Sequence, residues 1–176
     1  MELTPSQTVG PFFHICWGSE SAVLANADTA GERITLRCRV RDGADTPVSD
    51  ALIEIWQADA CGAYNQTGFR NFGRACTNQD GSCTFETIKP GRVTGEGGVL
   101  QAPHVSVNLF ARGLLKQLVT RIYFSGDAAN CDDPVLRLVP DERRGTLLAQ
   151  PRSNVPGVWD FEIRLASDCE TVFFDV

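Results

Sequence analysis

The sequence predicts an all-β fold: a β-sandwich with long loops and one or two short helices. Apolar and polar residues alternate with period two in one segment after another, the mark of strands buried on one face. Turn signals such as Asp42-Gly43 and Asp80-Gly81 separate these segments. Helical periodicity is weak throughout, and several short strands divided by turns argue for a sandwich.

The first strand is the clearest. Ile34, Leu36, Cys38 and Val40 alternate with Thr35, Arg37 and Arg39. Residues 51–56 (ALIEIW) read as a second strand and 83–88 (CTFETI) as a third. Val105, Val107 and Leu109 alternate with His104, Ser106 and Asn108. Residues 118–124 (LVTRIYF) make a further strand, and Trp159, Phe161, Ile163 and Leu165 alternate with Asp160, Glu162 and Arg164. Residues 171–174 are expected to close the chain as a last strand. One helix is expected over Pro134–Val139, with Asp133 as N-cap and proline at the first helical position. A second is expected over Glu142–Gln150, capped by Asp141 and weakened by Gly145. Residues 57–75 and 89–103 read as long loops, which in compact chains often carry function.

The chain has 176 residues, 43% hydrophobic and 22% charged, so one domain over residues 1–176 with an N-terminal arm is expected. The formal net charge of −6 argues against a nucleic-acid backbone as partner, because that needs a basic face. Seven cysteines without CxxC spacing do not suggest a zinc site. The opening MELTPSQTVGPFF lacks a basic stretch followed by an apolar one, and no apolar run nears the roughly 20 residues that span a bilayer. The expectation is a cytoplasmic protein with mostly free thiols and no membrane partner.

Five strings carry chemistry: TPSQTVGPFF, LIEIWQADACGAYN, TIKPGRV, APHVSVNLFARG and the terminal ETVFFDV. Together, in this order, they resemble the intradiol ring-cleaving dioxygenases over nearly the whole chain. The resemblance implies a reaction at a non-haem ferric ion held by two Tyr phenolates and two His imidazoles. Hard anionic phenolates suit Fe(III). The substrate is a catechol that chelates the iron, and O2 breaks the bond between the hydroxylated carbons.

Laid on that pattern, Tyr64 stands at the first Tyr position and Val93 at the second. His104 stands at the first His position and Ser106 at the second. Period two places 104 and 106 on one strand face, now carrying one imidazole and one hydroxyl. Tyr64 and His104 are therefore expected to be remnant positions, packed and hydrogen-bonded, with no metal and no catalytic residue in this chain alone. The remaining Tyr123 and His14 match no ligand motif.

These departures are those of the alpha chains of hetero-oligomeric members, which pair with an iron-bearing beta chain. The resemblance then implies a complex acting on 3,4-dihydroxybenzoate and O2, with Fe(III) bound by the partner. Thr8, Gly10 and Pro11 would line the substrate cavity, and Arg112, in LFARG, would reach the substrate carboxylate. An Arg fork suits a carboxylate or a sulfonate, so 4-sulfocatechol fits the same expectation. Read without the family, Arg112 is a surface residue at a strand edge and Thr-x-Gly-Pro a turn. Phe12 and Phe13 are expected to pack, His14 to be a satisfied structural residue, and Trp56, Trp159 and Phe161 to be core or interface. Arg143-Arg144 reads as a solvated helix face. Two alternatives stay open: a dioxygenase-like scaffold or binding module without catalysis, and a self-sufficient enzyme holding a metal through Tyr64, His104 and Tyr123.

Overall fold

The structure, a computed structural model, describes residues 4–10, 12–13, 22–64 and 68–175. Its strands are β1 (Arg33–Arg41), β2 (Leu52–Gln57), β3 (Phe72–Cys76), β4 (Ser82–Ile88), β5 (His104–Phe110), β6 (Leu118–Phe124), β7 (Leu148–Pro151) and β8 (Val158–Arg164). They hydrogen-bond in the order β3-β2-β5-β6-β7-β8-β1-β4. The order folds into two layers, β3-β2-β5-β6 and β8-β1-β4, with β7 as the seam. That strand pairs parallel with β6 through Tyr123↔Leu148 and Phe124↔Ala149, and antiparallel with β8 through Gln150↔Asp160 and Pro151↔Trp159.

The alternation seen in the sequence becomes the core. Leu36, Val40, Phe85, Phe161 and Ile163 of one layer meet Ile53, Ile55, Val107, Leu109, Ile122 and Phe124 of the other in one buried cluster. Gln57 links the layers by polar bonds. Its side-chain amide donates to the Ile88 carbonyl at 2.9 Å, and its Oε1 accepts from the Thr87 hydroxyl at 2.9 Å. Lys89 lies over the rings of Phe124 and Trp159 and pairs with Asp127 at 3.1 Å. A smaller cluster of Ala102, Tyr123, Leu136, Val139 and Leu147 lies beside one end of β5 and β6.

Several expectations change. The loop expected at 57–75 contains β3, whose Gly73 is needed because a Cβ there would sit 2.6 Å from Leu24 Cδ1. The helix expected over 134–139 is a 3-10 turn, Leu136–Leu138, whose N-cap is Val135 and not Asp133, although Asp133 Oδ1 accepts from the backbone N–H groups of Val135 and Leu136 just before and at its start. The second helix, α1, covers only Asp141–Arg144. Asp141 is its first residue and not its cap, and after a 3-10 turn at Gly145–Leu147 the chain enters β7. The terminal segment makes one bridge, Val119↔Phe174, in place of a strand, with Phe173 and Phe174 half-buried against the two clusters. Arg143 and Arg144 are half-buried and bonded to main chain in place of a fully solvated face. Arg143 donates to the Glu170 carbonyl at 2.8 Å, and Arg144 donates to the carbonyls of Leu136 and Val139 at 3.0 and 2.9 Å. Arg144 thereby satisfies carbonyls that the 3-10 turn at Leu136–Leu138 leaves open, and Arg143 ties the chain near Glu170 to the helix. Phe12 is exposed, whereas Phe13 rests on Phe110 with ring centres 6.1 Å apart.

Candidate functional site

The functional residues gather at the two ends of β5. At its start, the antiparallel register sets His104 beside Tyr123 and Ser106 beside Arg121, with Trp56 of β2 on the other side of Ser106. His104 is 4% exposed. Its Nδ1 lies 2.8 Å from the Ala102 carbonyl, and its ring lies 5.8 Å from that of Tyr123. Burial pulls its pKa down, so the imidazole is neutral near pH 7 and donates from Nδ1 to that carbonyl. The Tyr123 hydroxyl donates to Asp133 Oδ1 at 2.9 Å, and burial, reinforced by Asp133, pushes the phenol well above its usual range. Asp133 is itself fully buried and also accepts from the backbone N–H groups of Ala102, Val135 and Leu136. This small network fixes Ala102 and, through it, His104.

Tyr64 stacks on Trp56 with ring centres 5.5 Å apart and planes within 4°. Partial burial raises its pKa, opposed by the nearby Arg121. Arg121 donates to Gln101 Oε1 at 2.8 Å. Val93 is half-buried, and its carbonyl accepts from the Gln101 backbone N–H at 2.8 Å.

These residues do not fit a ferric centre. An isopropyl and a hydroxymethyl, neither of them a phenolate or imidazole donor, stand at the positions of Val93 and Ser106, and Arg121 is the cross-strand neighbour of Ser106. Among the described residues, no group of three or more His, Cys, Asp or Glu side chains is placed to hold a metal.

The other end of β5 runs into a tight turn. Leu114 N–H donates to the Ala111 carbonyl at 3.2 Å, and Gly113 takes φ +91°, a value suited to glycine at the third position of such a turn. Arg112 sits at the tip. The Gly113 N–H donates to Thr8 Oγ1 at 2.6 Å, so the N-terminal arm is tied to the Arg112 turn. Gly10 is exposed, and its carbonyl accepts from Phe13 N–H at 3.1 Å. Pro11 and His14 lie outside the described residues. The structure thus brings Thr8 and Arg112 into one corner and leaves Tyr64 and His104 at the opposite end. Sequence reasoning passed over Asp50, which forms an ion pair with Arg112 Nε. It also passed over Arg121 and Asp133, which lie in segments read only for strand or helix.

A β-sandwich with an N-terminal arm against one corner, and with Tyr64 and His104 in the strings quoted above, defines a class. The sequence profile of the family described as Dioxygenase matches residues 10–167, and the chain belongs to this family, the intradiol dioxygenases, which depend on non-haem Fe(III). Within it, the chain is 44% identical to the protocatechuate 3,4-dioxygenase alpha chain of Pseudomonas putida, over 98% of this chain and 96% of that one. Similarity to the protocatechuate 3,4-dioxygenase beta chain of Burkholderia cepacia is lower, 31% over 82% of this chain and 66% of that one. Among solved structures, the dioxygenase domain of a dioxygenase–carbohydrate-binding protein fusion from Streptomyces sp. SirexAA-E superposes with TM-score 0.68 and 31% identity, covering 97% of this chain and 100% of that one.

Proposed function

We propose that this chain, one domain with an N-terminal arm, is the iron-free alpha subunit of a hetero-oligomeric intradiol dioxygenase. The complex opens 3,4-dihydroxybenzoate (protocatechuate) with O2 to give 3-carboxy-cis,cis-muconate in the cytoplasm. An iron-bearing beta chain holds the ferric ion, which supplies Lewis-acid activation of the bound catechol. This chain supplies part of the pocket wall through Thr8, Gly10 and Pro11, and a carboxylate-facing guanidinium through Arg112.

One observation carries the reading. His104 and the Arg112 turn lie at opposite ends of β5, separated by about 20 Å over the six steps from residue 104 to residue 110. No arginine side chain reaches that far, so Arg112 does not serve the Tyr64–His104 face of its own chain. Its half-exposed side chain and the tied arm beside it are open to a neighbouring subunit. The greater likeness to an alpha chain than to a beta chain supports the same division of labour. Six described cysteines are free thiols, in keeping with a reducing compartment.

The test is reconstitution. Purified by itself, the chain is expected to hold no stoichiometric iron and to open no catechol ring. Co-expressed with an iron-bearing beta chain, it should give a coloured complex with about one iron per pair. In that complex Arg112→Ala should raise KM for 3,4-dihydroxybenzoate about tenfold or more, the cost of a lost bond to a charged group. Iron in the isolated chain, or a KM within about twofold of the parent, contradicts the reading.

A further inference from the structure

Arg112 is exposed, yet its guanidinium is not free to wander. The antiparallel ladder of β2 and β5 ends at Leu52↔Phe110, and two residues beyond that end on each chain segment stand Asp50 and Arg112, which meet as an ion pair. The Asp50 carboxylate meets Arg112 at Nε, the nitrogen nearest the backbone. Asp50 is well placed to hold it. Its side chain is 19% exposed against 57% for Arg112. The next residue, Ala51, is buried and donates its N–H to Thr77 Oγ1 at 3.0 Å, while its carbonyl accepts from Thr77 N–H at 2.8 Å. The acid therefore stands on an anchored strand end, and the arginine stands on a turn tip held by Thr8.

An arginine meets a carboxylate by a fork of two parallel N–H donors, and a long flexible side chain must give up rotamer freedom to present it. With Nε occupied by Asp50, the pair of terminal nitrogens is the edge left for an incoming carboxylate. We infer that Asp50 is a positioning residue for substrate selection: it orients Arg112 so that the terminal nitrogens face the carboxylate of the catechol in the partner's site. It touches neither substrate nor iron. Because it also offsets part of the positive charge, recognition at this corner depends on the direction of the fork more than on bare charge. The inference rests on Arg112 being the carboxylate-facing residue.

The experiment uses the assembled alpha–beta complex with two probes, 3,4-dihydroxybenzoate and unsubstituted catechol. Asp50→Asn keeps the shape and removes the charge that grips Nε. Expected is a rise of about fivefold in KM for 3,4-dihydroxybenzoate, kcat within twofold, and no change in KM for catechol. In an Arg112→Ala background the same substitution should add nothing, since coupled residues are not additive. Asp50→Ser is the second variant and should behave as Asp50→Asn does. A KM for the carboxylated substrate that is unchanged or lowered in both variants overturns the inference, as does an equal rise for both probes. If Arg112→Ala itself leaves KM unchanged, the carboxylate reading of Arg112 fails, and that result is distinct from a failure confined to Asp50.

Discussion

The two ends of β5 have opposite chemical economies. At the His104 end nearly every polar group is turned inward: His104 to Ala102, Tyr123 to Asp133, Asp133 to three backbone N–H groups, and Arg121 to Gln101. At the Arg112 end a charged fork is steadied by one acid and its outer edge faces solvent. Buried polar groups that satisfy one another make structure, and they have little left to offer a ligand. An anchored charge with unspent donors is the opposite case. Under the proposed function, it is the second location, and not the first, that this chain would offer to a neighbour.

The comparison can be broken at several points. The largest effect is expected at the inward-facing end. Asp133→Ala leaves four buried or partly buried donors unmet and should cost about 3 kcal/mol or more in urea unfolding. A loss below about 1 kcal/mol would mean the network is not what holds that end. Thr8→Ala removes the tie between the arm and Gly113. In the assembled complex it should raise KM about threefold at constant kcat, with the isolated chain's unfolding midpoint nearly unmoved. A large stability loss would make the arm a folding element and not a pocket wall.

A smaller effect is expected from acid. Burial lowers the His104 pKa in the folded chain, so the unfolded chain binds the extra proton first. Stability carried by neutral His104 is present above the unfolded value of about 6.5 and is lost as pH falls below it. Unfolding midpoints at pH 7.5 and 5.5 should therefore diverge more for the parent than for His104→Gln, and parallel profiles would refute the assignment. Smallest of all is Tyr64→Phe. It keeps the ring on Trp56, and in the complex it should leave KM within about twofold. A large KM rise would mean that the Tyr64 face takes part in catalysis.

Much of the fold was legible because β1, β5 and β8 alternate along their length, and β2, β4 and β6 stand out as short apolar, β-branched runs between turns. β3 was not, since Gly73 is required by the close approach of Leu24 and Arg74 turns outward to pair with Glu54, which breaks the pattern. β7 was not, because four residues held by two different partners leave too short a trace for periodicity. Arg143 and Arg144 looked like a solvated surface, and only the folded path of the chain brings carbonyls to them. The site divided in the same way. Tyr64, His104, Val93 and Ser106 could be placed from their strings. The meeting of Thr8 with Gly113, 105 residues apart in sequence, and of Asp50 with Arg112 depends on how strand ends and turns come together, which no local string encodes.

The parallel pairing of β1 with β8 joins two strands far apart in sequence, which bears on the order in which the fold can form. Thr35 finds Val158 and Arg41 finds Arg164, so an early strand waits for one of the last. Contacts between such distant segments form slowly. During synthesis β1 can pair with β4 on one side, but its other edge stays bare until β8 has left the ribosome. A chain interrupted before Val158 would carry that bare, apolar-backed edge permanently, the kind of surface on which strands from other molecules add. Translation pauses and truncations before β8 should therefore yield aggregates and not a smaller soluble subunit, and assembly with any partner must wait for β8.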